Sequence, residues 1–436
     1  MRTTLIVTAL IALLVPACAP NPRLEAVPVA RPAVLGAFNG DGPVTTAGQW
    51  HDRRAPALLA EFERHVFGRV PDLPPARVAR RETLKLEKVG AAVVEQWEVR
   101  LGESEDAPLF NMILALPPDA QGPAPLIVAE LFCGNRTAVP GRPEAVAAPL
   151  TPVLWACESR LADPLIKAVL GRRINGPPID QITRRGYALA LFYPGDVAAD
   201  EPALAAQALQ RLQPDVPPGQ RGGAIAAWAA LYGRAVDVLA ADPRIDPARI
   251  GLWGHSRHGK AVLLAAALDK RPAAFVSHQS GRGGASLNRS PYGETIAQIT
   301  EGFPHWFGAA YGGHAADPGG LPVDQHQLVA LAAPRPLLVG YGRADKWSDP
   351  VGGFRAVEGA APAWALLGSQ SPPQPAWDGF DLDDALVFYR REGRHGVTTG
   401  DWNVFLDFYD RHMPALSAPP ATPASRPATP RSPAGS

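Results

Sequence analysis

The chain has 436 residues, 46% hydrophobic and 19% charged, which is ordinary for a globular protein and excludes disorder of the whole chain. Its 42 basic residues equal its 42 acidic ones, and there is no dense basic run, so neither nucleic acid nor an anionic membrane surface is favoured as a partner. A neutral substrate such as a glycan suits this balance. In chain order, Met1-Arg2-Thr3-Thr4 precedes an apolar stretch from Leu5 to Val15, too short to span a bilayer and ordered like an export signal. It ends in Val15-Pro16-Ala17-Cys18, which is similar to a bacterial lipobox. Residues 1–18 therefore predict a signal peptide and a lipid anchor at Cys18, the only membrane attachment expected. The location would be periplasmic or outer-membrane, or otherwise secreted. Residues 19–32, rich in Pro and Ala, read as a tether. Residues 33–415 read as one folded unit, and residues 416–436, a repeat of Pro, Ala, Ser and Thr, as a disordered tail that cannot bury a core. In the mature chain Cys133 and Cys157 remain, an even pair that predicts either a disulfide or two buried free thiols.

Within the folded unit short apolar runs alternate with helical stretches, the pattern of an α/β fold with a mainly parallel sheet. Candidate strands are Val93 to Val99, Asn111 to Leu116, Pro125 to Leu131, Tyr187 to Phe192, Arg249 to Trp253, Phe275 to His278, Pro336 to Gly340 and Leu386 to Arg390. Between them, Ala224 to Ala241 places Ala227, Trp228, Leu231, Ala235, Val238 and Leu239 on one apolar helical face. Asp242-Pro243 ends it.

The strongest local signal is Ile250-Gly251-Leu252-Trp253-Gly254-His255-Ser256-Arg257-His258-Gly259-Lys260, followed by the helical run Ala261 to Leu268. A Ser on a tight strand-to-helix turn is held with its oxygen exposed, the arrangement of the α/β-hydrolase nucleophile, although the last glycine comes one residue later than the common spacing. The bland reading is an ordinary turn. Arg257, Lys260 and His255 lie in or beside the first helical turn, where the helix dipole disfavours cations. A guanidinium there, with the Arg257 backbone N–H, would stabilise an oxyanion. Lys260 projects from the same side and could hold a substrate hydroxyl; solvated surface cations are the alternative.

In the α/β-hydrolase fold, a three-layer sandwich around a mostly parallel sheet, the acid follows a later strand and the histidine sits on a loop near the end. His395, in Glu392-Gly393-Arg394-His395-Gly396, is the expected general base, with His326 its rival. Asp345 and Asp349 both follow the strand at Pro336 to Gly340. Asp345, nearer the strand end, is the expected acid, while Asp349 before Pro350 could cap the next helix.

From Gly254 to His395 the chain resembles the glucuronoyl esterases, carbohydrate esterases that cleave ester links between xylan glucuronate and lignin alcohols. The motif Gly254-His255-Ser256-Arg257-His258-Gly259-Lys260 carries the resemblance, with Phe303-Pro304-His305-Trp306-Phe307, Leu321-Pro322-Val323-Asp324-Gln325-His326 and Ala333-Pro334-Arg335-Pro336. It implies Ser256 as nucleophile, Arg257 as oxyanion stabiliser and His395 as base. It also implies that Lys260, Glu301, Trp347 and Glu294 contact the glucuronate ring of a glucuronoxylan or lignin-carbohydrate ester. Glu294 and Glu301 could instead line a solvated helix face, and Trp347 could be core. No metal or organic cofactor is implied. Gln279, in His278-Gln279-Ser280-Gly281, stands where fungal members place a catalytic Glu. The acid is then expected from Asp345, with little dependence on position 279. His255 and Gly396 stand where other members pair two cysteines. The alternatives are an acetylxylan esterase or other carbohydrate carboxylesterase using the same residues, and a non-catalytic glycan-binding protein on a hydrolase scaffold.

Overall fold

The computed structural model describes residues 31–413 except 38–41, 85, 87–92, 119, 140–142, 154–156, 158–162 and 369–372. The expected signal peptide, most of the expected tether and the expected tail lie outside the described residues. Among the described residues, nine strands form one sheet: β1 (Ala76–Thr83), β2 (Val93–Leu101), β3 (Leu109–Leu116), β4 (Ala124–Glu130), β5 (Ala188–Phe192), β6 (Ile245–His255), β7 (Ala274–His278), β8 (Leu337–Gly342) and β9 (Leu386–Arg391). Their spatial order is β1-β2-β3-β5-β4-β6-β7-β8-β9. Pairing is antiparallel from β1 to β5 and parallel from β5 through β4 to β9.

The eight expected strands correspond to β2 through β9. β1 was not expected: Arg77, Arg80, Arg81 and Glu82 interrupt its apolar pattern, and its outer half is exposed. Charge on an edge strand is what keeps a free edge from pairing with other chains, and it also hides the strand from a hydrophobicity reading.

Flanking helices include α1 (Asp163–Leu170), α2 (Ala224–Ala240), α3 (Arg257–Leu268), α4 (Ile296–Gly302), α5 (Gln325–Ala330), α6 (Pro350–Leu366) and α7 (Thr399–His412). Strand alternation sorts side chains between two layers. Phe275, Leu337, Val339, Leu386 and Phe388 join a core with α2, α3 and α6. Val276, Leu338, Val387 and Tyr389 face a second core with Trp402, Phe405 and Tyr409 of α7. The result is the three-layer α/β-hydrolase architecture. α2 buries more than the single expected face, with twelve of seventeen residues inside, because its start is also covered: Ala224 N donates to His305 O at 2.7 Å.

Two further ties hold the periphery. Cys133 and Cys157 form a disulfide with Cα atoms 5.2 Å apart. Arg31 pairs with Glu358 of α6 at 3.1 Å, and His326 Nε2 of α5 donates to Pro32 O at 2.7 Å. The last two residues of the expected tether are thus docked on the folded unit.

Candidate functional site

The carboxyl ends of β6, β7, β8 and β9 bring Ser256, Gln279, Asp345 and His395 to one rim, where parallel α/β sheets place their sites. Ser256 links β6 to α3 with φ 56° and ψ −121°, a strained conformation held because the surroundings leave little alternative. Its N–H donates to His278 O at 2.8 Å. A Cβ on Gly254 would lie 2.3 Å from His258 O, so the turn closes only with glycine there. The Arg257 N–H begins α3, where no intrahelical acceptor exists and the helix dipole favours an anion.

His395 Nδ1 lies 2.7 Å from Asp345 Oδ2 and 3.0 Å from Ser348 Oγ, while Ser348 N donates to Asp345 Oδ1 at 3.2 Å. Burial alone would raise the Asp345 carboxyl, but His395 and Ser348 outweigh it and hold it below the usual carboxylate range. Asp349 does not reach His395. It caps α6 by accepting from Gly352 N at 2.8 Å, and burial pushes its carboxyl up to about 6. The His395 ring lies 4.7 Å from that of His255, the residue before Ser256. Among the described residues no hydrogen bond joins Ser256 Oγ to His395; in ligand-free sites such bonds are often long and tighten when substrate binds. His326 is engaged with Pro32 instead, and burial pushes its imidazole down to about 4.

Arg257 pairs with Asp200, which also accepts from His305 Nε2 at 2.9 Å and Trp306 Nε1 at 2.7 Å. Burial would raise the Asp200 carboxyl; Arg257, His305 and Trp306 reverse this and hold it below the ordinary range. The guanidinium lies over the Trp306 ring, 4.5 Å from its centroid, and its Nε is buried with no partner. An N–H so placed is a donor awaiting an acceptor. His255, expected among the cations, is fully buried and sits 3.2 Å from His278, Nδ1 to Nδ1. Burial first, then His395 and His278, push its imidazole far down, so it is neutral.

Lys260 is buried rather than solvated, and its Nζ donates to Ser280 O and to Arg282 O at 2.6 Å. Of three ammonium hydrogens, one remains for another acceptor. Burial lowers Lys260 to about 8, opposed by Glu294. Burial raises Glu294 to about 7, opposed by Lys260. Glu294 precedes α4 and is buried, so it does not share a solvated helix face with Glu301, which is exposed on α4. Trp347 is half-buried, and its carbonyl accepts from Glu294 N at 2.9 Å.

The two positions where relatives pair cysteines are filled differently. His255 packs on His395, and a Cβ at Gly396, whose φ is 147°, would lie 2.1 Å from Leu170 O at the end of α1. The sequence reading missed Asp200 and Ser348, and it quoted His305 and Trp306 within the block that carries the resemblance without giving them a role. A carboxylate shortly after the strand ending at Phe192 was the one available signal for Asp200.

A serine on a strained strand-to-helix turn, with a histidine–aspartate pair contributed by later strands, defines the class as an α/β-hydrolase. A family model described as "Glucuronyl esterase, fungi" matches residues 182–368. Carbohydrate esterase MZ0003, from an unknown prokaryotic organism, is 33% identical over 387 residues, which span 85% of this chain and 87% of that protein. The glucuronoyl esterase from Solibacter usitatus superposes with a TM-score of 0.75 at 31% identity, over 89% of this chain and all of that one (100%). A 4-O-methyl-glucuronoyl methylesterase of Hypocrea jecorina is 37% identical over 155 residues, 34% of each protein. The chain belongs to the glucuronoyl esterase family, carbohydrate esterase family 15, and is a carboxylic ester hydrolase.

Proposed function

We propose that this chain hydrolyses the ester between a glucuronate of glucuronoxylan and a lignin alcohol, by acyl transfer through Ser256. The observation that carries the reading is the His395 Nδ1 to Asp345 Oδ2 contact at 2.7 Å, at the same sheet edge as the strained Ser256. Asp345 fixes the tautomer that leaves His395 Nε2 free to accept a proton. Ser256 Oγ bonds to the ester carbonyl carbon as His395 takes its proton. The oxyanion is received by the Arg257 backbone N–H, with the Arg257 guanidinium, which Asp200 holds in place, adding positive charge beside it. Collapse breaks the bond to the alcohol oxygen, which leaves with the proton from His395. Water repeats the sequence and releases the uronic acid. Lys260 and Glu294 supply polar contacts to ring hydroxyls, Trp347 covers an apolar sugar face and Glu301 reaches from the rim.

Turnover of benzyl glucuronate compared with acetylated xylan tests the substrate. Glucuronate release that disappears in Ser256→Ala is the expected result; turnover of the acetyl ester alone would reject it. Export through residues 1–18 with a lipid on Cys18 belongs to the same reading, and the intact mass of the mature protein tests it: a mass without a diacylglyceryl adduct removes the anchor.

A further inference from the structure

Gln279 occupies the place where fungal relatives carry a carboxylate, yet its surroundings suit an amide and not an anion. It follows β7, is 1% exposed and holds φ at 50°, a conformation that a non-glycine residue adopts only when its neighbours over-determine it. Its backbone N–H donates to Gly340 O at 2.7 Å. Its side chain then straddles the histidine: Nε2 donates to Arg394 O at 3.2 Å, and Oε1 accepts from Gly396 N at 2.7 Å. One buried amide thus satisfies a carbonyl and an N–H on either side of His395. Gly396 has no room for a side chain that could anchor the loop, and its own carbonyl accepts from Arg391 Nη2 at 2.8 Å.

Against the expectation of little dependence on position 279, we infer that Gln279 is a positioning residue for His395, a clip that sets the base relative to Ser256 by holding Arg394 and Gly396 at once. The inference rests on the serine-esterase reading. Donor and acceptor are both required. An ionised carboxylate could accept from Gly396 N but would set a second acceptor against Arg394 O, and two oxygens facing each other across a part-buried contact, one of them charged, repel. A protonated carboxyl, in contrast, has one donor and one acceptor and reproduces the amide.

The test uses Gln279→Glu and Gln279→Leu in the full chain. It follows kcat and KM on benzyl glucuronate and the rate of fluorophosphonate labelling of Ser256, each as a ratio to the parent across pH. Gln279→Glu is expected to approach the parent near about pH 5, while the new carboxyl is protonated, and to lose about 10²-fold in kcat as it ionises, the scale of an ångström-sized misplacement of a catalytic group. KM should change little. Gln279→Leu should be slow at every pH, with no recovery in acid. A merely structural residue would lower thermal stability and leave the variant-to-parent ratio flat with pH. A flat ratio for Gln279→Glu, or parent-like kcat for Gln279→Leu, would overturn the inference. Failure of the parent itself to label at Ser256 would instead reject the esterase chemistry, so the two failures are distinguishable.

Discussion

Asp345 and Asp349 follow the same strand, but their partners give them opposite properties. Asp345 is tied to His395 and Ser348, which keep it ionised despite burial. Asp349 meets the α6 N-terminus, and burial lifts it to about 6. Asp345→Asn is therefore expected to lower kcat by about 10³- to 10⁴-fold with little change in KM, the scale of losing the group that fixes a catalytic imidazole's tautomer. For Asp349 the sign runs the other way. Its native carboxyl binds a proton more tightly than the unfolded chain does, so its contribution to stability falls as pH rises from the ordinary carboxylate value toward 6. Asp349→Asn keeps a capping oxygen and removes that penalty. Its urea midpoint at neutral pH should equal or exceed the parent's, with kcat unchanged, and a large loss of activity would reassign the acid. Asp200 acts one step back from the reacting atoms. Asp200→Asn retains an acceptor but loses the charge that seats the Arg257 guanidinium, and kcat should fall about 10²-fold while KM holds, as for loss of an oxyanion donor. An increase in KM with kcat intact would show that Asp200 serves substrate binding instead.

At the scale of elements, most of the legible strands have both faces buried, while β2 shows alternating burial. β5 and β7 are buried along their whole length, so their apolar runs stand out of the sequence without any periodicity. β1 was not legible because its residues are chosen for an exposed edge. Turn geometry was legible in part: Gly254-x-Ser256 announces the elbow, whereas the positive φ of Gln279 has no glycine to announce it. The loop between β4 and β5 is stapled by Cys133–Cys157, separated by 24 positions. Closing a loop of that length in the unfolded chain contributes about 3 kcal/mol on a chain-entropy account. Cys133→Ser with Cys157→Ser is expected to lower stability by that order in urea unfolding, and reductant should reproduce the loss in the parent but not in the double variant. Phe132, next to Cys133, lies 5.5 Å from the Arg257 guanidinium, so a fall in kcat should accompany the loss of stability. Unchanged stability would mean that the staple closes a loop already held by other contacts.

For the molecule as a whole, the parts of the site that could be read from sequence are those fixed by chain order: nucleophile, then acid, then base. The parts that escaped depend on groups brought together from afar, as Asp200 is with Arg257 and His305, across 57 and 105 positions. The buried pair Glu130–His258, 2.9 Å apart beneath the elbow, is of the same kind and contributes, beside Glu294 and Asp349, to how the whole fold responds to pH. Burial raises Glu130 well above its ordinary value of 4.5 and pushes His258 from 6.5 down to about 3. Both shifts favour the uncharged forms, and in that form the native pair carries one proton. Between those two ordinary values the unfolded chain also holds one, on the histidine, and the pair adds no pH dependence. Above 6.5 the unfolded histidine gives up its proton, so for as long as native Glu130 keeps its own the native state binds more protons and stability falls as pH rises. The slope is about 1.4 kcal/mol per pH unit for one proton. Burial-lowered Lys260 and Lys270 act in the opposite direction above about 8, since there the unfolded chain binds more protons. Glu130→Gln keeps a hydrogen bond to His258 without the titrating proton, and should flatten the urea-midpoint curve across this neutral window while raising stability at its alkaline end. A Glu130→Gln curve parallel to the parent's would show that the proton resides elsewhere.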